Sequence, residues 1–251
     1  MAADRLAYVQ KSYGQYCPIA RGAEVLAERW TPIILRNVLL GCRTFNQISD
    51  GAPGLSRALL TKRLRELDHA GLVRITPKPD GRGSLYQPTQ AGRDAWEVLA
   101  ALGAWGDRWT DIQPEHADPN AVLWSWCHNY TWREALPDKR VVVRFEFRDP
   151  KGRWIRQWFH IHERSIEICR FDPGFGDDLV VRIEDPVPFA RWHIGLVPWR
   201  QVVATSVIIT GPRDLQRALP TWNSCPESHR RRRAVERSGD ERVRSPGGGS
   251  G

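Results

Sequence analysis

Cations are concentrated in one stretch of the chain. From Ser56 to Arg65 the sequence has Arg57, Lys62, Arg63 and Arg65 and no carboxylate. Lysine and arginine side chains bind the phosphates of DNA, and arginine also reads guanine in the major groove. The same run of charges fits an ordinary solvated helix face. The choice between a DNA-binding surface and a solvated one therefore depends on the elements around it.

Residues 56–71 are predicted to form the helix that carries these cations. Ser56 is a suitable N-cap and Gly71 a suitable C-cap, because each satisfies backbone groups that a helix end leaves unpaired. Leu60, Leu64 and Leu67 recur at helical spacing and form one buried stripe. The side chains that point away from this stripe are Ala58, Thr61, Lys62 and Arg65, with Arg57 and Arg63 on its flanks.

Helices are also predicted before this stretch. Thr31 as N-cap and Pro32 as first residue begin an almost wholly buried helix that ends at Gly41. A short capped helix over 43–48 follows, and a Gly-containing turn leads from it to the basic helix. Two short helices joined in this way are typical of a helix-turn-helix. Two more helices are predicted upstream, over 22–29 and over an apolar arm at 4–13 that would hold a partner subunit.

A hairpin and a long helix follow the basic helix. Residues 72–76 and 85–87 are predicted strands joined by a Pro- and Gly-containing turn, which makes the hairpin a wing. Arg82 at its tip would lie beside the DNA backbone, although a plain surface hairpin with an incidental arginine is the alternative. The long helix, over 90–109, has an apolar stripe that extends beyond a small core and is expected to pack on another subunit or domain. Its members are Trp96, Leu99, Leu102, Trp105 and Trp109.

Composition places the protein among soluble globular chains. The net charge of +8 divides into +4 over residues 1–112, +1 over 113–225 and +3 over 226–251, which is consistent with a polyanion-binding N-terminal part. Five cysteines without close pairing argue against a disulfide framework and a structural zinc site. No apolar run of about 18 residues occurs, so we expect a cytoplasmic, nucleoid-associated protein without a membrane partner.

The character of the chain changes after a polar linker at 113–119. Helices and β-branched segments over 120–225 predict an α+β domain, and residues 226–251 read as a disordered basic Gly/Ser tail. Eight of the 12 tryptophans lie in the α+β part, which favours a pocket for an apolar ligand over a bare spacer or dimerisation domain. The tryptophans proposed to line this pocket are Trp124, Trp158, Trp192 and Trp199.

The N-terminal part resembles the HxlR-type winged-helix transcriptional regulators over residues 14–110. The resemblance implies a homodimer that places one basic helix per subunit in the major groove of a pseudo-palindromic operator, so that residues 1–112 form a winged helix-turn-helix DNA-binding and dimerisation domain. It is carried by Cys17-Pro-Ile-Ala, Glu28-Arg-Trp30-Thr-Pro-Ile-Ile-Leu35-Arg, Arg43-Thr-Phe45, Leu55-Ser56, Leu60-Thr61-Lys-Arg-Leu64-Arg-Glu-Leu67, Gly71-Leu-Val and Tyr86-Gln-Pro-Thr89-Gln-Ala-Gly92.

The resemblance also assigns roles to individual residues. Arg57, Thr61 and Arg65 would read base edges, with Ser56 as both N-cap and phosphate donor. Phosphate contacts are assigned to Lys62, Arg43 and Arg82. Some members of the family sense oxidants through a cysteine at the place of Cys17, so Cys17 is either a redox sensor or a structural cysteine.

Residues 121–222 resemble the sterol-carrier-protein-like domain that is fused to some regulators of this type. By resemblance this domain would bind a small hydrophobic effector and transmit its occupancy to the DNA-binding half. The matching segments are Val141-Val-Val-Arg-Phe, Cys169-Arg-Phe-Asp-Pro-Gly174, Leu179-Val-Val-Arg182, Ala190-Arg-Trp192, Gly195, Gly211-Pro-Arg-Asp-Leu215 and Ala218-Leu-Pro-Thr-Trp222.

Catalytic motifs are weak by comparison. His160 and His162 alternate on one strand without a third metal ligand at a telling spacing, and Asp172, Asp177 and Asp178 lack the spacing of a calcium loop. We therefore predict no enzyme activity, no metal and no cofactor. The prediction is a homodimeric, repressor-like transcription factor that binds double-stranded DNA and has an appended ligand-sensing domain. The alternatives are a lipid or small-molecule carrier, or a hydrophobic-substrate enzyme, with a vestigial winged helix.

Overall fold

A computed structural model describes residues 12–148 and 152–224 of the chain. The predicted arm helix over 4–13 and the predicted tail over 226–251 fall almost wholly outside these residues. The chain divides into two compact units between Asp111 and Ile112, called here the N-terminal and C-terminal units. Among the described residues, no helix is both long and apolar enough to span a bilayer.

The N-terminal unit is a helical domain with one β-hairpin. Its elements are α1 (Pro18–Leu26), α2 (Thr31–Leu39), α3 (Phe45–Asp50), α4 (Arg57–His69), β1 (Val73–Pro77), β2 (Ser84–Pro88) and α5 (Gln90–Trp109). β1 and β2 pair antiparallel and form the predicted wing. The helices, the hairpin and their order agree with the winged helix-turn-helix expected from the sequence.

Side-chain caps set several helix boundaries in this unit. Thr44 and Gln47 form a capping box at the start of α3, and the Ser56 hydroxyl accepts a hydrogen bond from the Leu59 amide at the start of α4. Several boundaries differ from the prediction, and α3 spans Phe45–Asp50 instead of 43–48 because Thr44 is its N-cap. α1 begins at Pro18, because proline is favoured in the first helical turn. Thr31 is already helical, and Trp30 precedes α2 in the left-handed region with φ of 77°.

Gly92 allows α5 to lie close to the wing. A Cβ at this position would stand 2.1 Å from the Leu72 carbonyl oxygen, which is far inside van der Waals contact. The Leu72 carbonyl also accepts the Thr89 amide at 3.0 Å, and Thr89 caps α5. A residue without a side chain is therefore required where the long helix leaves the hairpin.

The C-terminal unit is an α+β domain built on one mixed sheet. Its strands follow the order β5-β4-β3-β6-β7, with β3 antiparallel to β4 and parallel to β6. Its elements are α6 (Pro119–Asn129), β3 (Val141–Arg148), β4 (Trp154–His162), β5 (Ser165–Cys169), β6 (Leu179–Ile183), α7 (Pro186–His193), α8 (Trp199–Thr205), β7 (Val207–Thr210) and α9 (Arg213–Ala218).

The two faces of this sheet differ. Side chains of one face, such as Phe145, Phe159 and Val181, join residues of the four helices in a single buried aromatic core. The other face, called here the outer face, takes the alternate residues of each strand. On its three central strands these are Trp154, Arg156, Trp158, His160 and His162 of β4, Val142, Arg144, Glu146 and Arg148 of β3, and Val180 and Arg182 of β6.

Candidate DNA-binding surface

α4 separates a buried face from an exposed one. Leu60, Leu64 and Leu67 are each at most 2% exposed and anchor the helix to the core of the unit. Burying each of these side chains contributes roughly 1.5–3 kcal/mol, which is enough to hold the helix firmly in place. The exposed side of α4, with Ala58, Lys62 and Arg65, faces solvent. The predicted outward orientation of the cationic face therefore agrees with the structure.

The cations of this face have different surroundings. The guanidinium of Arg57 lies 4.5 Å from the centre of the Phe45 ring and donates to Asn46 at 3.4 Å, so α3 orients it. Lys62 lies 3.8 Å from Glu66 in an exposed pair that contributes little stability. Arg65 makes no ion pair with any described residue and remains exposed.

Arg63 has a structural position instead. Its side chain is 13% exposed, and its guanidinium contacts Glu28 and Glu66, each at 2.7 Å. Glu28 lies in the loop between α1 and α2, so this pair ties α4 to the preceding helices. Arg63 is therefore not available to DNA, although the run of four cations in the sequence gives no sign of the difference.

A buried polar network, missed by the sequence analysis, fixes α3 against α2. The Asn37 side chain is completely buried and donates to the Ile48 carbonyl at 2.9 Å. Arg36 donates to the Asn37 side-chain oxygen at 2.8 Å and to the Gly51 carbonyl at 2.9 Å. These bonds connect α2, α3 and the turn that leads to α4. The available signal was the adjacent pair Arg36 and Asn37 within a helix whose other interior residues are apolar.

The two other predicted phosphate contacts, Arg43 and Arg82, have different surroundings. The Arg43 guanidinium is half-buried and donates to the Val38 carbonyl at 2.7 Å, so one of its nitrogens caps the end of α2. Arg82 is exposed at the tip of the wing, between Gly81 and Gly83, both with positive φ. Arg82 is thus the more accessible of the two.

Cys17 lies at the start of α1. Backbone amides of Ala20 and Ile19, followed by the charge of Arg21, lower the pKa of its partly exposed thiol, because they favour the thiolate more than the slight burial disfavours it. Cys42 shows the opposite behaviour, since burial raises the pKa of its thiol to about 11. The thiol pKa values of the two cysteines in this unit are therefore shifted in opposite directions.

The four tryptophans predicted to line a ligand pocket do not converge. Trp192 and Trp199 are in contact, with ring centres 4.4 Å apart, and Trp192 belongs to the aromatic core. Trp158 lies on the outer face and donates to Asp177 at 3.0 Å. Trp124 stacks on His128 within α6. A helical or strand period cannot show which sheet face a tryptophan joins, because that depends on register with the neighbouring strands.

No cluster of three or more His, Cys, Asp or Glu side chains suited to a metal ion occurs within 12–148 and 152–224. His160 stacks on Phe175 with ring centres 5.2 Å apart, and His162 is exposed. The two histidines therefore have different neighbours, an aromatic ring for His160 and solvent for His162.

The capped helices, the exposed cationic face and the wing define a winged helix-turn-helix DNA-binding unit. The model of the HxlR-like helix-turn-helix family matches residues 25–114. The uncharacterized HTH-type transcriptional regulator Rv3095 of Mycobacterium tuberculosis is 32% identical over 133 residues, which cover 48% of this chain and 84% of that protein. The regulator sll1512 of Synechocystis, named in the same terms, is 32% identical over 99 residues, or 39% of this chain and 73% of that protein.

The chain belongs to the HxlR-like helix-turn-helix family and is a transcriptional regulator with a helix-turn-helix DNA-binding domain. Among solved structures, the reduced form of the transcriptional regulator YodB from Bacillus subtilis is 26% identical, with 39% of this chain and 97% of that chain covered and a TM-score of 0.34. The family match ends at residue 114, before the sheet of the C-terminal unit.

Proposed function

We propose that the protein is a homodimeric, repressor-like regulator that inserts α4 of each subunit into the major groove of a pseudo-palindromic operator. The observation that carries this proposal is the exposed cationic face of α4, held outward by three buried leucines. By occupying its operator the dimer would exclude the transcription machinery. An in vitro transcription assay on the bound promoter tests the sign, since activation by the protein would contradict repression.

Base reading is assigned to Arg57, Thr61 and Arg65. Arg57 is held on Phe45 at the N-terminal end of α4, and Arg65 has no ion-pair partner among the described residues, so both guanidinium groups can pair with guanine edges. The Thr61 hydroxyl donates to the Arg57 carbonyl at 2.9 Å, and this leaves its oxygen as an acceptor and its methyl group for thymine.

Phosphate contacts are assigned to Ser56, Lys62, Arg82 and Arg43. Ser56 stands at the exposed N-terminus of α4, where backbone amides favour an anion. Lys62 is exposed on α4 and Arg82 at the wing tip, whereas Arg43 would use the guanidinium nitrogens that do not cap α2. Such contacts position the protein but carry little sequence information.

Gel-shift titrations with the DNA upstream of the gene test these assignments. Arg65→Ala and Arg57→Ala are each expected to lose about 1–3 kcal/mol of discrimination between the operator and unrelated DNA. Lys62→Ala should weaken binding to both DNAs alike and reduce the salt dependence. Arg93→Ala, which removes the same charge at the start of α5, is the matched control. Wild-type discrimination in both arginine variants would reject the assignment.

The dimer is proposed to form through α5. Only Gly92 and Ala95 of this helix are buried, while Leu102, Trp105 and Trp109 are between 53% and 66% exposed. An apolar stripe of this size is rare on a monomer surface and fits a second copy of the same helix. The exposed Tyr16 and Ile19 provide further apolar surface near α1.

Sedimentation equilibrium of the full chain tests the dimer. Leu102→Glu is expected to shift the protein toward the monomer, because it would bury a charge in the interface. Ala100→Glu adds the same charge on the opposite side of α5 and should leave the dimer intact. If the wild type is a dimer and Leu102→Glu remains a dimer as well, the interface lies elsewhere on the protein.

For the C-terminal unit we propose a sterol-carrier-protein-like domain whose hydrophobic ligand modulates DNA affinity. Supporting this are four helices on one face of the sheet and a hydrophobic core that contains Trp192, with the partly buried Trp199 packed against it. The buried Trp126 Nε1, Trp222 Nε1 and Gln157 Oε1 make no hydrogen bond to a described residue, so each is a candidate partner for the polar group of an amphipathic ligand.

Native mass spectrometry of the purified full chain tests for such a ligand. A bound mass that organic extraction removes, and whose removal changes operator affinity, would support ligand sensing. Binding of a ligand without any effect on DNA affinity would favour a carrier instead. Retention of full regulation by a ligand-free protein would reject the sensing role.

Oxidant sensing through Cys17 is proposed as a second input to the N-terminal unit. The lowered pKa of this thiol and its position at the start of α1 support the role, since the thiolate is the form that oxidants attack.

A further inference from the structure

The outer face of the C-terminal sheet has a row of charges across its three central strands. Glu146 of β3 is directly opposite Arg156 of β4 and directly opposite Arg182 of β6. Arg144 lies two residues before Glu146 on the same strand and same face. One carboxylate therefore lies at the centre of three arginines. This grouping of charges depends on which strands are neighbours and on their register, and neither can be predicted from the sequence of a single strand.

Glu146 orients these arginines. Its carboxylate accepts hydrogen bonds from Arg156 at 3.2 Å and from Arg182 at 3.1 and 3.2 Å, and Arg144 lies 3.3 Å away. Burial opposes ionisation of Glu146, but the Arg182 hydrogen bond and the three positive charges outweigh it and lower the pKa of the carboxyl group. Glu146 is therefore ionised at neutral pH and fixes the guanidinium groups.

Aromatic and acidic neighbours restrict the arginines further. The guanidinium groups of Arg182 and Arg148 lie 5.1 Å and 4.6 Å from the centre of the Trp154 ring. Arg144 pairs with Asp177 at 2.9 Å. Because two cations already lie over Trp154, this ring supports arginine side chains and is not a platform for an unpaired base.

The outer face retains an excess of positive charge after these pairs are counted. Four arginines (Arg144, Arg148, Arg156 and Arg182) face two carboxylates (Glu146 and Asp177), which leaves a formal charge of +2 around the central strands, and the exposed Glu167 of the edge strand β5 lowers the charge of the whole outer face to +1. The side chains of Arg156 and Arg182 are 59% and 48% exposed. Within the described residues, the terminal nitrogens of Arg156 and one terminal nitrogen of Arg182 have no protein acceptor, so they can bind an external anion.

We propose that this outer face is a second, sequence-independent contact with the phosphate backbone of duplex DNA. The arginines are spread over three neighbouring strands of an open sheet face, whereas a small anionic ligand requires a concave site that surrounds it. A polyanion fits this geometry, and arginines held in place lose little entropy when phosphates bind. The chain already binds DNA through its family domain, so the backbone next to the operator is present at high effective concentration.

Salt-dependent binding of the full chain to a 40-base-pair duplex tests the proposal. Arg156→Gln combined with Arg182→Gln keeps amide donors for Glu146 but removes two charges. The slope of log affinity against log salt is expected to shrink by about 1 to 2. Discrimination between operator and unrelated DNA should be unchanged, because phosphates carry no sequence information. Arg191→Gln with Arg217→Gln, on the exposed surfaces of α7 and α9, is the charge-matched control.

A second position tests the outer face without disturbing Glu146. Ile208 of β7 is 56% exposed, pairs with Arg182 in the sheet register and makes no contact with Glu146 that the structure shows. Ile208→Lys is expected to tighten binding and raise the salt slope, and Ile208→Glu to do the reverse. If both Ile208 variants bind like the wild type, or the arginine pair behaves like its control, the proposal is wrong. The α4 variants Arg57→Ala and Arg65→Ala test a different claim, because they should reduce operator discrimination. If the outer-face variants still change the salt slope in an α4 variant background, the two contacts act independently.

Discussion

The two units hold their positive charges in different ways. On α4 of the N-terminal unit, Arg65 is exposed without an ion pair among the described residues, and Arg57 contacts Phe45 and Asn46. On the outer face of the C-terminal unit, Arg144, Arg156 and Arg182 surround one buried carboxylate. The first arrangement leaves the Arg65 side chain free to adjust to base edges. The second fixes charge in place, which suits contacts that do not depend on sequence.

The units also differ in how completely they bury their apolar surface. The core of the C-terminal unit contains 22 buried residues in one cluster, which includes Trp126, Phe145 and Trp192. The N-terminal unit leaves the apolar stripe of α5 exposed. A domain that buries its own core can fold alone, whereas an exposed stripe of this kind calls for a partner. The comparison therefore predicts that the two units respond separately to core mutations.

The largest effect is expected for Trp126→Ala. The Trp126 ring lies 5.1 to 6.2 Å from the ring centres of Trp192, Phe159 and Phe145, so its removal should cost about 3–5 kcal/mol of unfolding free energy. Hydrogen exchange, resolved by peptide, should show lost protection in β3 and β4 and unchanged protection in α4. Phe171→Ala, at an 84% exposed aromatic, is the control. Equal loss of protection in α4 would show that the units unfold as one.

An intermediate effect is expected for Asn37→Ala in the N-terminal unit. The change leaves the Ile48 carbonyl and the Arg36 guanidinium without their buried partner, which should cost about 1–3 kcal/mol. Urea unfolding measures the loss, and operator affinity should fall with it because α3 and the turn before α4 lose their anchor. Asn46→Ala, at an exposed position in α3, serves as the comparison for stability. A loss in the C-terminal unit alone would contradict the assignment.

Local signals in the sequence predicted the N-terminal unit well. The leucine spacing of α4, the Ser56 cap and the Pro- and Gly-containing turn of the wing each depend on neighbouring residues, and the structure agrees with them. Long-range pairing was not predictable in the same way. The burial of Arg63 depends on Glu28, which is 35 residues away, and the separation of Trp158 from Trp192 depends on the register of β4 with β3 and β5.

The assigned DNA contacts follow the same division. The outward orientation of Lys62 and Arg65 could be predicted, because helical periodicity alone places them opposite the leucines. The guanidinium of Arg43 could not be placed, because its bond to the Val38 carbonyl depends on how α2 ends. The outer face was also missed, because alternation shows which residues share a strand face but not which strands become neighbours.

The last prediction concerns the reactivity of the two cysteines of the N-terminal unit and involves no substitution, so no loss of stability is expected. Backbone amides at the start of α1 lower the pKa of the Cys17 thiol, whereas burial raises that of Cys42 to about 11. Since alkylation requires the thiolate, iodoacetamide should modify Cys17 at a lower pH and much faster than Cys42 in the native protein. Peptide mass spectrometry across a pH series measures both sites in one sample. The difference should disappear in denaturant, because it depends on folded surroundings, and equal native profiles would remove the basis for a sensing role of Cys17.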